Sequence, residues 1–159
     1  MYRVAGYVKL AKLWERNRDS AIEYHNEYFA ERFSDNEDFS LCGVYVDITG
    51  NKDIKKRQEM VRLLRECFNG KVDVIAVQTK AYLAANPGEF CYLIKFLFEL
   101  ENPIQIITDD LDYRINTIEN EDHQREALYD MANNYAALKP SDYPSWRLEI
   151  LNAFADLDD

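Results

Sequence analysis

Residues 72–77 form the segment that most restricts how this chain can fold. The segment reads Val-Asp-Val-Ile-Ala-Val, follows an Asn-Gly pair at residues 69–70, and gives way to polar residues after six positions. A short run of mostly β-branched apolar residues is typical of a strand buried on both faces of a parallel sheet. Parallel strands are joined by crossover connections, usually helices. The chain is therefore expected to alternate strands with helices.

The rest of the pattern agrees with this expectation. Other segments with strand character lie at residues 2–10, 41–46 and 104–107. Between them, a capping-box pattern at residues 20–23 predicts a helix that runs to about Arg32, and a second apolar stripe (Met60, Leu64, Cys67, Phe68) predicts a helix that ends at Asn69. These features predict an α/β fold, namely a three-layer sandwich around a mostly parallel sheet of about four or five strands, with C-terminal helices added.

The third helix, expected at residues 87–100, is apolar on almost every side. Asn86 is placed to cap it and Pro87 to occupy its first position. Only two of the residues from 90 to 100 are charged, and a helix of this kind is buried on more than one face. Two arrangements satisfy that requirement. Either the C-terminal helices cover the second face, with Trp146, Ile150 and Phe154 as the covering side chains, or the face mediates self-association.

The C-terminal part of the chain is acidic and still patterned. The net charge is −10, and residues 117–159 alone carry 10 acidic groups against 3 basic ones. Two amphipathic helices are expected there, broken by Pro140 and Pro144. The first, over residues 117–138, has an apolar seam at Leu128, Met131, Tyr135 and Leu138, and the second begins near Trp146. DNA binding depends on lysine and arginine that neutralise phosphates, so an acidic region of this kind works against it.

Composition narrows the class of protein further. A chain of 159 residues with 47% hydrophobic residues suits one intracellular, cytoplasmic domain, and the sequence has no signal pattern and no apolar run long enough to cross a membrane. The three cysteines, Cys42, Cys67 and Cys91, are expected to be buried thiols rather than metal ligands, because no C-x-x-C motif accompanies them. The acidic cluster at residues 109–112 is expected to be solvated, and no cofactor or metal is predicted.

Four blocks of sequence resemble the catalytic domain of serine recombinases, the resolvase/invertase family. The blocks lie at residues 3–11, 43–50, 57–64 and 70–86, in the order and spacing of that family. They begin R-V-A-G-Y-V, G-V-Y-V-D, R-Q-E-M and G-K-V-D-V-I, respectively. The resemblance covers residues 2–112 and implies a resolvase-like fold for that part of the chain.

The chain departs from the family where the family does its chemistry. Ala11 stands at the position of the serine nucleophile, and a methyl group cannot form the phosphoserine link to DNA. Lys9 replaces an arginine, and lysine lacks the planar fork that grips a phosphate. In the last block, the positions of a polar residue and two arginines hold Ala81, Tyr82 and Ala85. Of the family's arginines, Arg57 is retained.

The resemblance and these departures together imply an organisation and a function. Residues 1–112 are expected to form a resolvase-like domain, and residues 113–159 a helical extension that packs on it or mediates association. The expected function is that of a catalytically inactive recombinase-like protein, whose partner is itself or a related recombinase subunit and whose contact with DNA is weak or indirect. The alternative is a DNA recombinase with an altered site, in which Thr79 or Tyr82 supplies the hydroxyl.

Basic residues near the predicted site could contact phosphate. Lys9 and Arg57 are the candidate residual phosphate-binding residues implied by the resemblance. A basic cluster lies nearby in the sequence at Lys52, Lys55, Lys56, Arg57, Arg62 and Arg65. This cluster is interpreted as a solvated helix face, with contact to phosphate or to an acidic partner as the alternative.

Overall fold

The computed structural model describes residues 1–157 and contains a four-stranded parallel sheet. Its strands are β1 (Tyr2–Leu10), β2 (Phe39–Ile48), β3 (Val74–Val77) and β4 (Gln105–Thr108). They lie in the order β2-β1-β3-β4, and all three strand pairs are parallel. All four residues of β3 are buried, as the continuous apolar run predicts. The prediction of an α/β fold with a parallel sheet is confirmed.

Five helices accompany the sheet. They are α1 (Arg18–Ser34), α2 (Gln58–Phe68), α3 (Pro87–Phe98), α4 (Gln124–Leu138) and α5 (Asp142–Ala155). Because parallel strands require crossovers, α1, α2 and α3 each connect one strand to the next. Asn69 is the C-cap of α2, and Gly70 follows with a φ of 75°, a left-handed conformation that glycine adopts without strain.

The two faces of the sheet bury separate sets of side chains, because successive residues of a strand point in opposite directions. Val4 and Val8 of β1 pack with Phe29 and Phe33 of α1. The intervening residues Ala5 and Tyr7 belong instead to the larger core that contains α2 and α3. Gly6 is required on the α1 side, since a Cβ at this position would lie 2.7 Å from the ring of Phe29.

The C-terminal helices cover the outer face of α3. Leu128 of α4 and Trp146 and Ile150 of α5 are buried in the same core cluster as Leu93 and Phe96 of α3. Phe154 is half-buried and packs against that cluster. Of the two arrangements that the apolar third helix allowed, the structure therefore has the internal one.

The segment before α4 returns to the edge of the sheet. The backbone N–H of Thr108 donates to the carbonyl of Ile115, and the N–H of Thr117 donates to the carbonyl of Ile106. Asn116 forms an antiparallel bridge with Ile107. This pairing satisfies part of the exposed edge of β4, which would otherwise offer free backbone groups to another strand.

Several local predictions were wrong. Helix α1 begins at Arg18 after a 3-10 turn at Lys12–Asn17, so the expected capping box at residue 20 lies inside the helix. Cys42 is exposed, because it is the extra residue where the register of β2 against β1 shifts between Leu41 and Gly43. Phe68, expected in the apolar stripe of α2, is largely exposed and lies against Phe154.

The C-terminal helices also differ from their predicted faces. In α4 the buried stripe is Leu128, Ala132 and Ala136, whereas Met131 is 42% exposed and Leu138 is 75% exposed. The small alanines let α4 approach α3 closely, and the larger apolar residues are left outside. Pro144 does not break α5 but lies in its first turn, where no intrahelical N–H is needed. Within residues 1–157 no helix has the length and apolar character needed to cross a membrane.

Candidate functional site

The candidate site lies at the carboxyl ends of β1 and β3. The chain leaves β1 towards α1 on one face of the sheet and leaves β3 towards α3 on the other. In open α/β sheets, binding sites form at such a switch point, outside the carboxyl ends of the strands. Ala11 follows β1 here, and the loop at residues 79–86 follows β3. The fold thus brings the two sequence blocks that carry the predicted site residues to one edge.

Ala11 and Lys9 lie at the end of β1. Ala11 has an extended backbone, is exposed, and offers only a methyl group to solvent. Lys9 is half-buried, and its Nζ donates to the carbonyl of Thr49 at 3.4 Å. Burial lowers the pKa of Lys9, and the positive charge of Arg57 lowers it further. This end of the site therefore has a cation, and Ala11 supplies no hydroxyl that could attack phosphorus.

Arg57 lies inside the protein with its side chain 1% exposed. It joins two loops through bonds to main-chain carbonyls: Nε donates to Asn51 (3.3 Å), Nη2 to Lys52 (2.9 Å), and Nη1 to Tyr82 (2.9 Å) and Leu83 (3.3 Å). Four of the five guanidinium N–H donors are therefore used within the chain. The interpretation of Arg57 as part of a solvated helix face is wrong, because the side chain points inward.

Asp47 links the end of β2 to the start of α2. Its carboxylate is buried and accepts the backbone N–H groups of Glu59 and Met60, each at 2.9 Å, and the hydroxyl of Tyr7 at 2.8 Å. A carboxylate at this position satisfies otherwise unpaired N–H groups of the first turn and interacts favourably with the helix dipole. Burial raises the pKa of Tyr7, and the charge of Asp47 raises it further. The pair joins β1 and β2 to the first turn of α2.

The loop after β3 carries the remaining predicted positions. Thr79 Oγ1 donates to Asp110 at 2.7 Å, and the N–H of Lys80 donates to the same carboxylate at 2.8 Å. Burial acts to raise the pKa of Asp110, but these bonds outweigh it and the pKa is lowered. Tyr82 is half-buried, and burial raises the pKa of its hydroxyl. Ala81 and Ala85 are exposed.

A polar cavity of about 410 Å³ lies next to the start of α2. Its lining includes three cations, Arg18, Lys56 and Arg62, together with Thr49 and the acids Asp47 and Glu59. Arg18 is paired with Glu15 and Arg62 with Glu59. Ala11, Arg57 and Tyr82 do not line this cavity. The three positions that an altered recombinase site would need are thus not gathered around it.

Three solved structures share this architecture. The N-terminal catalytic domain of TP901-1 integrase has a TM-score of 0.59 and 16% identity, over 87% of this chain and 96% of that one. A resolvase family site-specific recombinase from Streptococcus pneumoniae gives 0.52 and 12%, over 97% and 99%. The C-terminal catalytic domain of ISC1926 TnpA, an IS607-like serine recombinase, gives 0.50 and 13%, over 85% and 99%.

The chain has the fold of a serine recombinase catalytic domain. The three likenesses, at 12–16% identity, establish the fold. Comparisons with models of protein families and with curated protein sequences find no match. The resemblance seen in the four sequence blocks is confirmed at the level of structure.

Within this serine recombinase fold, Asp109 and Lys55 are two further charged residues near the site that have partners in the chain. Asp109 accepts from Arg32 at 2.9 Å and from the hydroxyl of Tyr28 at 3.0 Å. Lys55 pairs with Glu149 of α5. Among residues 1–157 no three side chains of His, Cys, Asp or Glu come together as a group that could hold a metal ion.

Sequence reasoning missed two parts of the serine recombinase fold in this chain. The Asp47–Tyr7 bond joins residues 40 apart in the sequence, and only the match of both to the family's blocks hinted that they belong to one site. The Thr79–Asp110 bond was also missed, because both residues are common polar types in loops. In the structure Ala11, Tyr82 and Ala85 lie on connections that follow β1 and β3 at the same edge of the sheet.

Proposed function

We propose that this protein is a catalytically inactive member of the serine recombinase fold that acts through protein–protein interaction. The observation that carries the proposal is the exposed methyl group of Ala11 at the end of β1, where a recombinase needs a serine hydroxyl. Arg57 supports it, because its guanidinium is buried among carbonyls rather than open to a phosphate. Tyr82 and Ala85 cannot supply the two arginines that would stabilise a pentacoordinate phosphorus.

The proposed partner is a second copy of this chain or a related active recombinase subunit. A chain that keeps the fold but lacks the chemistry retains surfaces through which it can join an assembly. We further propose that the protein acts in the cytoplasm, is encoded by a mobile element, and needs no metal or cofactor. In this view residues 1–112 are the recombinase-like domain and residues 113–159 an extension that stabilises it.

The alternative is a DNA recombinase with an altered site. The polar cavity lined by Arg18, Lys56 and Arg62 favours it, since these cations are placed to contact a phosphate oxygen. Lys9 is the other candidate phosphate contact, whereas Arg57 would have to give up bonds to carbonyls first. The hydroxyls of Thr79 and Tyr82 are poorly suited as nucleophiles, since one is bonded to Asp110 and the pKa of the other is raised by burial.

The two functions are separated by covalent trapping. The purified protein is incubated with supercoiled DNA and with a nicked suicide duplex, and then run on a denaturing gel. The proposal expects no protein–DNA adduct, whereas an adduct that survives denaturation would establish the alternative. Duplex binding at physiological salt is expected to be no tighter than about 10⁻⁴–10⁻⁶ M, the non-specific range. Nanomolar binding at about 150 mM salt would contradict weak or indirect DNA contact.

The interaction itself is tested by light scattering. Size-exclusion chromatography with light scattering gives the mass of the protein alone over a range of concentrations and of its mixture with an active serine recombinase from the same genome. A dimer of this chain, or a mixed species, is the expected result. A monomer at every concentration that leaves the active recombinase unchanged would contradict the proposed mode of action.

A further inference from the structure

A concave groove of about 570 Å³ lies on the side of the 79–86 loop that faces α4, away from the polar cavity. Its walls come from that loop, from the start of α3, from α4, and from the segment that returns to β4. Most of its lining is apolar and includes Ala84, Phe90, Ile115, Ala127, Leu128 and Met131. The volume falls within the range of about 300–1,000 Å³ that is usual for small-molecule sites, which are likewise mostly apolar with a few polar groups.

Besides Tyr113, the polar side chains that line the groove are Thr79, Lys80, Asn86 and Asp110. Thr79, Lys80 and Asp110 form one cluster joined by hydrogen bonds. The oxygens of Asp110 already accept bonds from the Thr79 hydroxyl and the backbone N–H of Lys80, and Asn86 Oδ1 accepts the N–H of Glu89. These acceptors are therefore satisfied within the chain.

The ammonium group of Lys80 is the group of this set that is placed to receive a ligand. Its Nζ lies 5.4 Å from the centre of the Tyr113 ring and makes no ion pair within 4.0 Å among residues 1–157. The groove thus pairs an apolar surface with a polar cluster that holds one cation, Lys80, and one carboxylate, Asp110, whose two oxygens already accept bonds within the chain. The Lys80 ammonium is the group of this cluster that can donate to a ligand, and it selects a molecule with an apolar body and one negatively charged acceptor group.

We propose that this groove binds a small organic carboxylate with an apolar body, such as a medium-chain fatty acid or an aryl-alkanoic acid. The hydrocarbon part of the ligand lies along Phe90, Leu128 and Met131, and its carboxylate lies against Lys80. Binding of this ligand does not depend on the proposed function, and it would give the protein a small-molecule ligand in addition to its protein partners. It also adjoins the candidate site, because the loop that lines the groove carries the Tyr82 and Leu83 carbonyls that hold Arg57.

The methionines supply a direct test. The chain has three, and only Met131 lines the groove; Met60 is fully buried elsewhere and Met1 is exposed at the N-terminus. With ¹³C-methyl-methionine labelling, titration with decanoate is expected to shift the Met131 signal saturably while the signals of Met60 and Met1 stay in place. Decanol and decyltrimethylammonium, which have the same chain with neutral and cationic heads, are expected to bind more weakly by about three- to fivefold, as for a partly exposed ion pair.

Two variants locate the site. Ala127→Trp fills the groove and is expected to weaken decanoate binding at least tenfold, whereas Ala137→Trp, at an exposed position of α4 outside the groove, leaves it unchanged. Lys80→Gln is expected to remove the preference for decanoate over decanol, and Lys139→Gln, on an exposed lysine elsewhere, to keep it. Circular dichroism of each variant establishes that it is folded.

Three results would overturn the proposal. The first is a Met131 signal that does not move saturably with decanoate at millimolar concentration. The second is tighter binding of decyltrimethylammonium than of decanoate, which would mean that Asp110 and not Lys80 sets the selectivity. The third is a change in the oligomeric state of the free protein on Ala127→Trp without decanoate binding to the parent, which would make the groove an interface between proteins.

Discussion

The guanidinium of Arg57 donates to the main-chain carbonyl of Tyr82 at 2.9 Å, from a side chain that is almost completely buried. In the resemblance that the sequence carries, one of these positions keeps a recombinase arginine and the other has lost one. In this chain Arg57 binds the loop that carries Tyr82 and therefore stabilises the junction of two loops.

The first prediction concerns this role of Arg57. Arg57→Met is expected to lower the free energy of unfolding by about 2–4 kcal/mol, since each carbonyl left buried and unpaired costs about 1–3 kcal/mol. Arg57→Lys is expected to recover only part of the loss, because lysine cannot span both loops with one planar fork. Urea denaturation measures both. Lys56→Met, at the exposed neighbouring position, is the control and is expected to change stability by under about 0.5 kcal/mol. Equal stability of Arg57→Met and the parent would show that the bonds to the loops contribute nothing.

The second prediction concerns the carboxylate at the start of α2. Asp47→Asn is expected to destabilise the protein by about 2 kcal/mol, because the amide has one acceptor instead of two and no charge for the helix dipole. Tyr7→Phe, which removes one of the three donors to Asp47, is expected to cost about 1 kcal/mol. Thermal unfolding checks both, with the exposed Asp38→Asn as control. If Asp47→Asn unfolds at the same temperature as the parent, the carboxylate is not needed to anchor α2.

The third prediction separates the loss of the nucleophile from the loss of its surroundings. Ala11→Ser restores a hydroxyl at the end of β1 but leaves Tyr82 and Ala85 in place of the two arginines. The variant is expected to form no covalent adduct with a suicide DNA substrate, since a hydroxyl without groups that stabilise the developing charge is a poor catalyst. An adduct formed by this single substitution would show that the remaining cations suffice.

The fourth prediction concerns pH. His25 is buried on α1, its Nδ1 has no hydrogen-bond partner among residues 1–157, and burial lowers its pKa. In the unfolded chain a histidine has a pKa of about 6.5, so the unfolded chain binds the proton more readily than the folded protein does. Stability is expected to be full at higher pH and to fall as the pH drops below that value. Unfolding free energies measured from pH 8 to pH 5 give the slope.

The two histidines of the chain provide the control for this slope. His25→Leu is expected to flatten the fall in stability below pH 6.5, because the group that must be desolvated is gone. His123→Asn is expected to keep the slope of the parent, since His123 is exposed and asparagine tolerates its positive φ of 55°. A His25→Leu protein with the slope of the parent would assign the acid sensitivity to other groups.

The sequence predicted those parts of the molecule in which local pattern and burial agree. The continuous apolar run of β3 is compatible only with a buried strand, and Asn86 followed by Pro87 is compatible with the start of a helix, which is where both lie in α3. In α4, however, two faces carry apolar residues at helical spacing. Hydrophobicity favours the face of Met131 and Leu138, but close packing against α3 favours the face of Ala132 and Ala136, which the structure buries.

Some features of the candidate site could be predicted from the sequence and others could not. The absence of the nucleophile and of two arginines can be read from Ala11, Tyr82 and Ala85 directly, since it depends only on residue identity. The burial of Arg57 cannot, because it depends on the loops at residues 51–52 and 82–83, which are distant in the sequence and are brought together by the fold. The lining of the groove beside the loop is likewise a product of tertiary packing, as Phe90 and Met131 come from different helices.

The last prediction concerns the helix that closes the core. Trp146 of α5 is buried against Tyr92 and Phe96 of α3, and its Nε1 donates to Glu89 at 3.2 Å. Trp146→Ala is therefore expected to cost about 3–5 kcal/mol, the range for a large aromatic side chain removed from a core. Phe154→Ala is expected to cost less, since Phe154 is half-buried and lies against the exposed Phe68.

Leu148, 59% exposed on the same helix, provides the control in Leu148→Ala, for which a change under about 0.5 kcal/mol is expected. Chemical denaturation at a protein concentration where the chain is monomeric measures all three. If the Trp146→Ala monomer is as stable as the parent, α5 does not stabilise α3 in the isolated chain, and its apolar face serves an interface with another chain instead.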